Sequence, residues 1–155
     1  MFTSEIEQSF FMNHLNSDMT VLEYGSGQST KEIAQKVKSI VSVEHQVNWY
    51  NQLINEVPNN CKLLLKVPDT EYIEGGYCGT YEQFKSYIES PIKYGPYDLI
   101  LIDGRARVSC ASIVHKIAKN NTIIFVHDYH REEYKECEKY LKLIDMCETM
   151  AKFKL

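Results

Sequence analysis

Residues 20–30 read Thr20-Val21-Leu22-Glu23-Tyr24-Gly25-Ser26-Gly27-Gln28-Ser29-Thr30, and this stretch decides the fold class. Thr20 to Tyr24 is a short β-rich run closed by two glycines. Ser29 and Glu32 then have capping-box spacing ahead of Ile33, Ala34 and Val37 at helical intervals. Strand, glycine turn and helix in that order open an α/β sheet. Gly25 and Gly27 can take positive φ and let a ligand approach the backbone closely, although a bare pair of glycines serves a plain tight turn equally well. Thr30 stands where a dinucleotide fingerprint needs its third glycine. The close helix approach of that motif is thereby hindered, and NAD is disfavoured.

Upstream, Ser4 and Glu7 have capping-box spacing before Ile6, Phe10, Phe11 and Leu15, which reads as an amphipathic leading helix within residues 1–19. Downstream, Ile40 to Glu44 is a second strand. Val47, Tyr50, Leu53, Ile54 and Val57 form a helical face that Pro58 stops, and Cys61 to Val67 is a third strand. Residues 68–96 break this rhythm. Pro68, Gly75, Gly76, Gly79, Pro91, Gly95 and Pro96 frame one helix from about Thr80 to Glu89, which reads as an insertion over the sheet edge and the cleft. Tyr97 to Ile102 is apolar enough for a strand buried on both faces, and Cys110, Ile113, Val114, Ile117 and Ala118 mark a helix. Thr122 to Val126 is a fifth strand. A last helix is expected over Arg131 to Leu143 with Tyr134, Cys137, Tyr140, Leu141 and Ile144 inward, and an edge strand within Cys147 to Leu155. The prediction is one Rossmann-like, doubly wound domain over 1–155, with a mainly parallel sheet, helices on both faces and a shortened C-terminal end.

Composition narrows the function classes. With 17 basic and 21 acidic residues the formal charge is −4, and no run of like charge suggests a nucleic-acid backbone as partner. The 44% apolar content is enough for a single core. Five cysteines, odd in number and never spaced CxxC, indicate neither a disulfide framework nor a zinc knuckle, and fit a reducing, cytoplasmic setting. No signal-peptide region or membrane-length apolar stretch is visible. The oligomeric state is left open, a dimer being compatible with the sequence.

Ligands of doubly wound sheets bind outside the carboxyl ends of the strands, so the residues just after each strand are the site candidates. Glu23 is an acid at the end of an apolar strand, where it requires a hydrogen-bond partner or a cation; a ligand amino group is one, and surface exposure is the alternative. Glu44 ends the second strand 17 residues beyond Gly27, near the spacing at which a carboxylate takes a ribose diol. It equally suits the first turn of the next helix. Asp69, beyond the third strand, is a candidate for an adenine contact or for turn chemistry. The fourth and fifth strands deliver Asp103, His127 and Asp128 to one rim. This set suits a divalent cation such as magnesium or manganese, a metal-free general base, or, for the two aspartates, helix caps.

Together, Val21-Leu22-Glu23-Tyr24-Gly25-Ser26-Gly27, Val43-Glu44 and Tyr97-Asp98-Leu99-Ile100-Leu101-Ile102-Asp103-Gly104 resemble the class I S-adenosylmethionine-dependent methyltransferases, in order and spacing, over residues 20–130. Asp103-Gly104 with His127-Asp128 is similar to the small-molecule and sugar O-methyltransferases, more distantly to the plant glucuronoxylan methyltransferase group. The resemblance implies that Glu23, Gly25 and Gly27 meet the methionine part of S-adenosylmethionine, and Ser26 and Ser29 of the same loop are further candidates for cofactor contact. It places Glu44 at the ribose and Asp103 at the methyl-transfer site, with His45 and Asp69 as further cofactor-binding candidates. Asp103, His127 or Asp128 would then handle the proton of a small-molecule or sugar hydroxyl. Two departures stand out: no full strand–helix–strand unit follows the fifth strand, so the family's C-terminal hairpin is expected to be shortened or absent, and His127-Asp128 replaces the Asp-Asn of catechol-type metal sites. The rival readings are a non-catalytic binding protein on the same fold and a nucleic-acid methyltransferase. The latter lacks an Asn-Pro-Pro-Tyr-type base pocket and a basic face here.

Overall fold

A computed structural model describes residues 2–73 and 78–155. Gly75 and Gly76, named above as frame residues, lie outside them. The elements run α1 (Glu5–Met12), β1 (Thr20–Tyr24), α2 (Gln28–Ala34), β2 (Ser39–Glu44), α3 (Val47–Leu53), β3 (Cys61–Leu65), α4 (Lys85–Glu89), β4 (Tyr97–Ile102), α5 (Arg107–Ser112), β5 (Ala118–Val126), β6 (Lys142–Cys147) and β7 (Met150–Lys154). The seven strands form one sheet in the order β3-β2-β1-β4-β5-β7-β6. The first five are parallel, and β7 runs antiparallel between β5 and β6.

Strand periodicity divides the core. Leu22, Tyr24, Ile100 and Ile102 face one side, where Phe84, Tyr87, Ile88 and α5 cover them. Val21, Leu99, Leu101 and Phe125 face the other, against Phe11 of α1 and Ile33 of α2. The expectation of a doubly wound sheet with helices on both faces is met. The reversal of strand order falls between β1 and β4, so the turns after these two strands part company and open a crevice.

Three local expectations are corrected. The C-terminal hairpin is neither absent nor truncated: β6 and β7 pair from Lys142↔Lys154 to Cys147↔Met150. What is short is the link from β5, a 3-10 helix over Glu132–Lys139 in place of the helix expected to reach Leu143. Consequently Leu143 and Ile144 belong to β6, the sheet edge, where Ile144 is half exposed, and β7 is interior. The second half of the 68–96 segment is the crossover from β3 to β4 and not a peripheral cover. Phe84, Tyr87 and Ile88 are wholly buried on the sheet, and the Tyr24 hydroxyl donates to the Ile88 carbonyl at 2.7 Å. Finally, α2 starts two residues earlier than the Ser29–Glu32 spacing suggests, its N-cap being Gly27, whose N–H donates to the Thr30 hydroxyl oxygen at 2.9 Å.

Candidate functional site

The crevice is a cleft of about 330 Å³ at the carboxyl ends of β1, β2, β4 and β5. Its walls are Gly25, Ser26, Gly27 and Ser29 after β1, Glu44, His45, Gln46 and Trp49 after β2, Asp103 to Arg105 and Arg107 after β4, and Asp128 and Arg131 after β5.

The two glycines of the β1 turn have different work. Gly25 sits at φ +93°, and a Cβ there would lie 2.6 Å from Gly104 Cα, so this glycine lets the β1 and β4 turns touch. Gly27 has an extended backbone, and a Cβ built on it meets nothing nearer than the Ser29 hydroxyl at 3.9 Å. The space over Gly27 is cleft, and the absence of a side chain there leaves it open to a ligand.

Glu23 does not line the cleft. It lies under the turn, wholly buried, where Ser29 at 2.7 Å, Thr30 at 2.5 Å and Ser42 at 2.6 Å donate hydroxyl bonds to it. Burial raises its pKa to about 7 in spite of those donors. The partner its position demands is therefore the protein itself. Glu44 does line the cleft, and its bonds within the protein serve both the lead into α3 and the β1 turn. Oε1 accepts from the His45 and Gln46 N–H groups at 2.8 Å, leading into α3, while Oε2 accepts from the Ser26 N–H at 3.1 Å, fixing the turn beside the open space. Trp49, which the sequence reading passed over, reinforces the same corner: its indole N–H donates to the Ser26 carbonyl at 2.7 Å. Asp69 is away from the cleft and exposed, accepting from the Ser86 N–H at 2.7 Å and from the Ser86 hydroxyl at the start of α4.

Asp103, His127 and Asp128 converge as expected, but in an order that only long-range packing sets. His127 is buried behind Asp103, with Nδ1 2.9 Å from Asp103 and Nε2 2.9 Å from Glu7 of α1. Burial alone would push the His127 pKa down, but the hydrogen bond and charge of Asp103, with Glu7 and Asp128 behind, carry it above the usual value. In turn, burial would raise Asp103, yet His127 above all, and Arg107, bring it down to about 2. For Glu7 burial is likewise outweighed, here by Thr149, Thr3 and His127, and its pKa falls to about 2. The cleft thus presents the Asp103 carboxylate, held low in pKa by the His127 ring behind it. Neither aspartate caps a helix. Arg107 takes both, 3.0 Å from Asp128 and 3.5 Å from Asp103, and also donates to the His127 carbonyl.

One ligand atom from each of Asp103, His127 and Asp128 falls within 4.8 Å of the others. These donors do not fit the expected magnesium or manganese as they stand. Both ring nitrogens of His127 are engaged with carboxylates, and the Arg107 guanidinium already pairs with both aspartates, so an added cation would have to displace it. With Trp49, Glu7 and Arg107 were the residues sequence reasoning missed. Signals existed: Glu7 shares a helix face with Phe11 four residues on, and all three arginines of the chain, Arg105, Arg107 and Arg131, follow β4 or β5 directly.

No family model matches the sequence, and no curated protein matches it. Solved structures do. A methyltransferase-like protein from Silicibacter pomeroyi superposes with a TM-score of 0.76 at 21% identity, covering 99% of this chain and 87% of that one. A Streptococcus mutans protein of the methyltransferase type, solved in complex with SAH, gives 0.60 at 12% identity over 99% of this chain and 100% of that one. An rRNA methylase from Streptococcus thermophilus gives 0.60 at 13% identity, over 99% and 98%. The fold is that of the class I S-adenosylmethionine-dependent methyltransferases.

Proposed function

We propose that the protein transfers a methyl group from S-adenosylmethionine to a hydroxyl of a small-molecule or sugar acceptor. The observation that carries this reading is the open space over Gly27, at the strand-order reversal, between the Glu44 and Asp103 carboxylates. When bound, S-adenosylmethionine supplies an electrophilic methyl on a sulfonium, which the acceptor oxygen takes as the C–S bond breaks. Glu44 holds the Ser26 turn and has acceptor capacity left for ribose hydroxyls. Asp103, kept ionised, accepts the hydrogen bond of the acceptor hydroxyl and turns its lone pair toward the methyl group. Its low pKa makes it an orienting and charge-stabilising group more than a strong base, and the hydroxyl proton, strongly acidic once the O–C bond forms, passes by way of this carboxylate to solvent. His127 and Glu7 hold that carboxylate in place from behind, and positioning supplies most of the rate.

Like the rRNA methylase, other proteins of this fold can serve nucleic acid, but an acidic chain favours a small acceptor. No helix among the described residues is long and apolar enough to cross a membrane, which is compatible with a cytoplasmic enzyme. Calorimetry with S-adenosylhomocysteine, followed by transfer of labelled methyl to a panel of hydroxyl acceptors, tests the reading. Failure of the wild-type protein to bind S-adenosylhomocysteine would overturn it.

A further inference from the structure

The chain carries 17 basic residues, of which only three are arginines, and all three line the cleft while none of its lysines does. Arginine differs from lysine in presenting a planar fork of donors that matches the two oxygens of a carboxylate or phosphate. Arg107 is spent within the protein: it is buried and bound to Asp103, Asp128 and the carbonyls of Gly104 and His127. Arg105 and Arg131 are not. Among the described residues Arg105 makes no ion pair and rests against the Tyr72 ring, its guanidinium carbon 5.9 Å from the centroid. Arg131 reaches Asp128 only at 3.8 Å, a carboxylate that Arg107 already holds at 3.0 Å, and its side chain is 47% exposed. Asp103 and Asp128 are therefore already paired within the protein, by Arg107 and His127, and Arg131 adds only a long contact to Asp128. At the other end Glu44 is held by the backbone N–H groups of Ser26, His45 and Gln46, with the His45 ring 3.1 Å away and, among the described residues, no arginine or lysine lining that part of the cleft. The cleft is polarised, acidic beside β2 and basic beside β4 and β5.

We propose that Arg105 and Arg131 form an anion subsite for the acceptor, which carries a carboxylate or phosphate group near the hydroxyl to be methylated. The proposal rests on the methyltransferase reading and narrows its substrate class. A fixed oxyanion at the β4–β5 end would bring a small acceptor into one orientation with its hydroxyl against Asp103, and would exclude uncharged analogues.

The experiment titrates inorganic phosphate, and separately succinate, into wild-type protein saturated with S-adenosylhomocysteine, with calorimetric detection. It is repeated on Arg105→Gln, Arg131→Gln and the double variant. Lys36→Gln, an exposed lysine outside the cleft, controls for net charge. The expected result is saturable binding of at least one anion, weakened about ten-fold or more in the double variant, the scale of one lost charge-assisted bond. Lys36→Gln and the affinity for S-adenosylhomocysteine should change less than about two-fold. A comparable loss of S-adenosylhomocysteine affinity in the arginine variants would assign them to the cofactor's own carboxylate and overturn the proposal. So would anion binding that is absent in the wild type or equally weak in the control. A ribo-oligonucleotide that binds far more tightly than phosphate, with a steep salt dependence, would move the anion to a nucleic acid and overturn it too. If the wild-type protein fails to bind S-adenosylhomocysteine, the methyltransferase reading falls, and the same anion titration on the unliganded protein still decides the subsite.

Discussion

Gly25 and Gly104 press their backbones together so closely that one methyl group on Gly25 would lie 2.6 Å from Gly104 Cα. The contact joins the turns after β1 and β4, with the Asp103 N–H donating to the Tyr24 carbonyl at 2.9 Å alongside. Gly25→Ala should therefore destabilise the whole protein by about 3 kcal/mol or more, combining backbone strain with a clash that neither turn can relieve. Gly27→Val should leave the thermal midpoint nearly unchanged while abolishing S-adenosylhomocysteine binding. Thermal melts and calorimetry on both variants check the split. A stable Gly25→Ala protein, or a Gly27→Val protein with normal affinity, would contradict it.

Glu44 offers a second probe of the same ligand. Glu44→Ala should lose about 1.5–3 kcal/mol of cofactor affinity, the scale for hydrogen bonds to a charged group. Glu44→Gln, which keeps one oxygen for the turn, should lose less. A loss of only a few tenths in Glu44→Ala would assign the residue wholly to the lead into α3.

The Glu7–His127–Asp103 stack predicts a pH window. His127 has a raised folded pKa, so its contribution to stability is full below the unfolded value of about 6.5 and is lost as pH rises through the higher folded value. Glu7 and Asp103 are lowered to about 2, so theirs are present above the unfolded values, about 4.5 and 3.8, and lost as pH falls through 2. Stability due to the stack should form a plateau between about pH 4.5 and 6.5 and decline above it. Melting His127→Gln beside the wild type across that range tests this: the difference between them should be largest on the plateau. A difference that grows above pH 8 would show His127 to be neutral in the fold.

Since Arg107 stands where a divalent cation would be needed, methyl transfer should survive a chelator unchanged. Added manganese or magnesium should not raise it. Activity that vanishes with the chelator and returns with manganese would overturn the assignment of Asp103 to the His127 ring.

Glu23 gives the opposite sign from Glu7. Its folded pKa, about 7, lies above the unfolded 4.5, so it favours the fold fully below pH 4.5 and that contribution is lost as pH rises through 7. Relative to Glu23→Gln, the wild type should lose stability over this window, by about 1.4 kcal/mol for each unit separating the two values. Parallel denaturant titrations at several pH values measure it, and curves that stay parallel would place the Glu23 pKa near normal.

Much of the sheet was legible because strand periodicity and the glycine turn are local signals. Val21, Leu22 and Tyr24, or Leu99 to Ile102, are buried as their pattern requires. The convergence of Asp103 with His127 was legible for the same reason, since strand ends in a parallel sheet share a rim. The β6–β7 hairpin was not. Its turn is Glu148-Thr149, with Glu148 at φ +51° and no glycine or asparagine to announce it. Glu7 could be read only as a cap, because the partner that gives it meaning stands 120 residues away. Gly25 misled in a similar way: its freedom serves a contact with Gly104 that no local pattern records.

Glu7 accepts not only from His127 but from the Thr149 hydroxyl at 2.6 Å and the Thr149 N–H at 3.2 Å. An element near the start of the sequence and a turn near its end thus close on one imidazole. Thr149, Glu7, His127 and Asp103 form one hydrogen-bonded line from the β6–β7 turn to the open space, so that a change in the length of this turn bears on a carboxylate of the cleft.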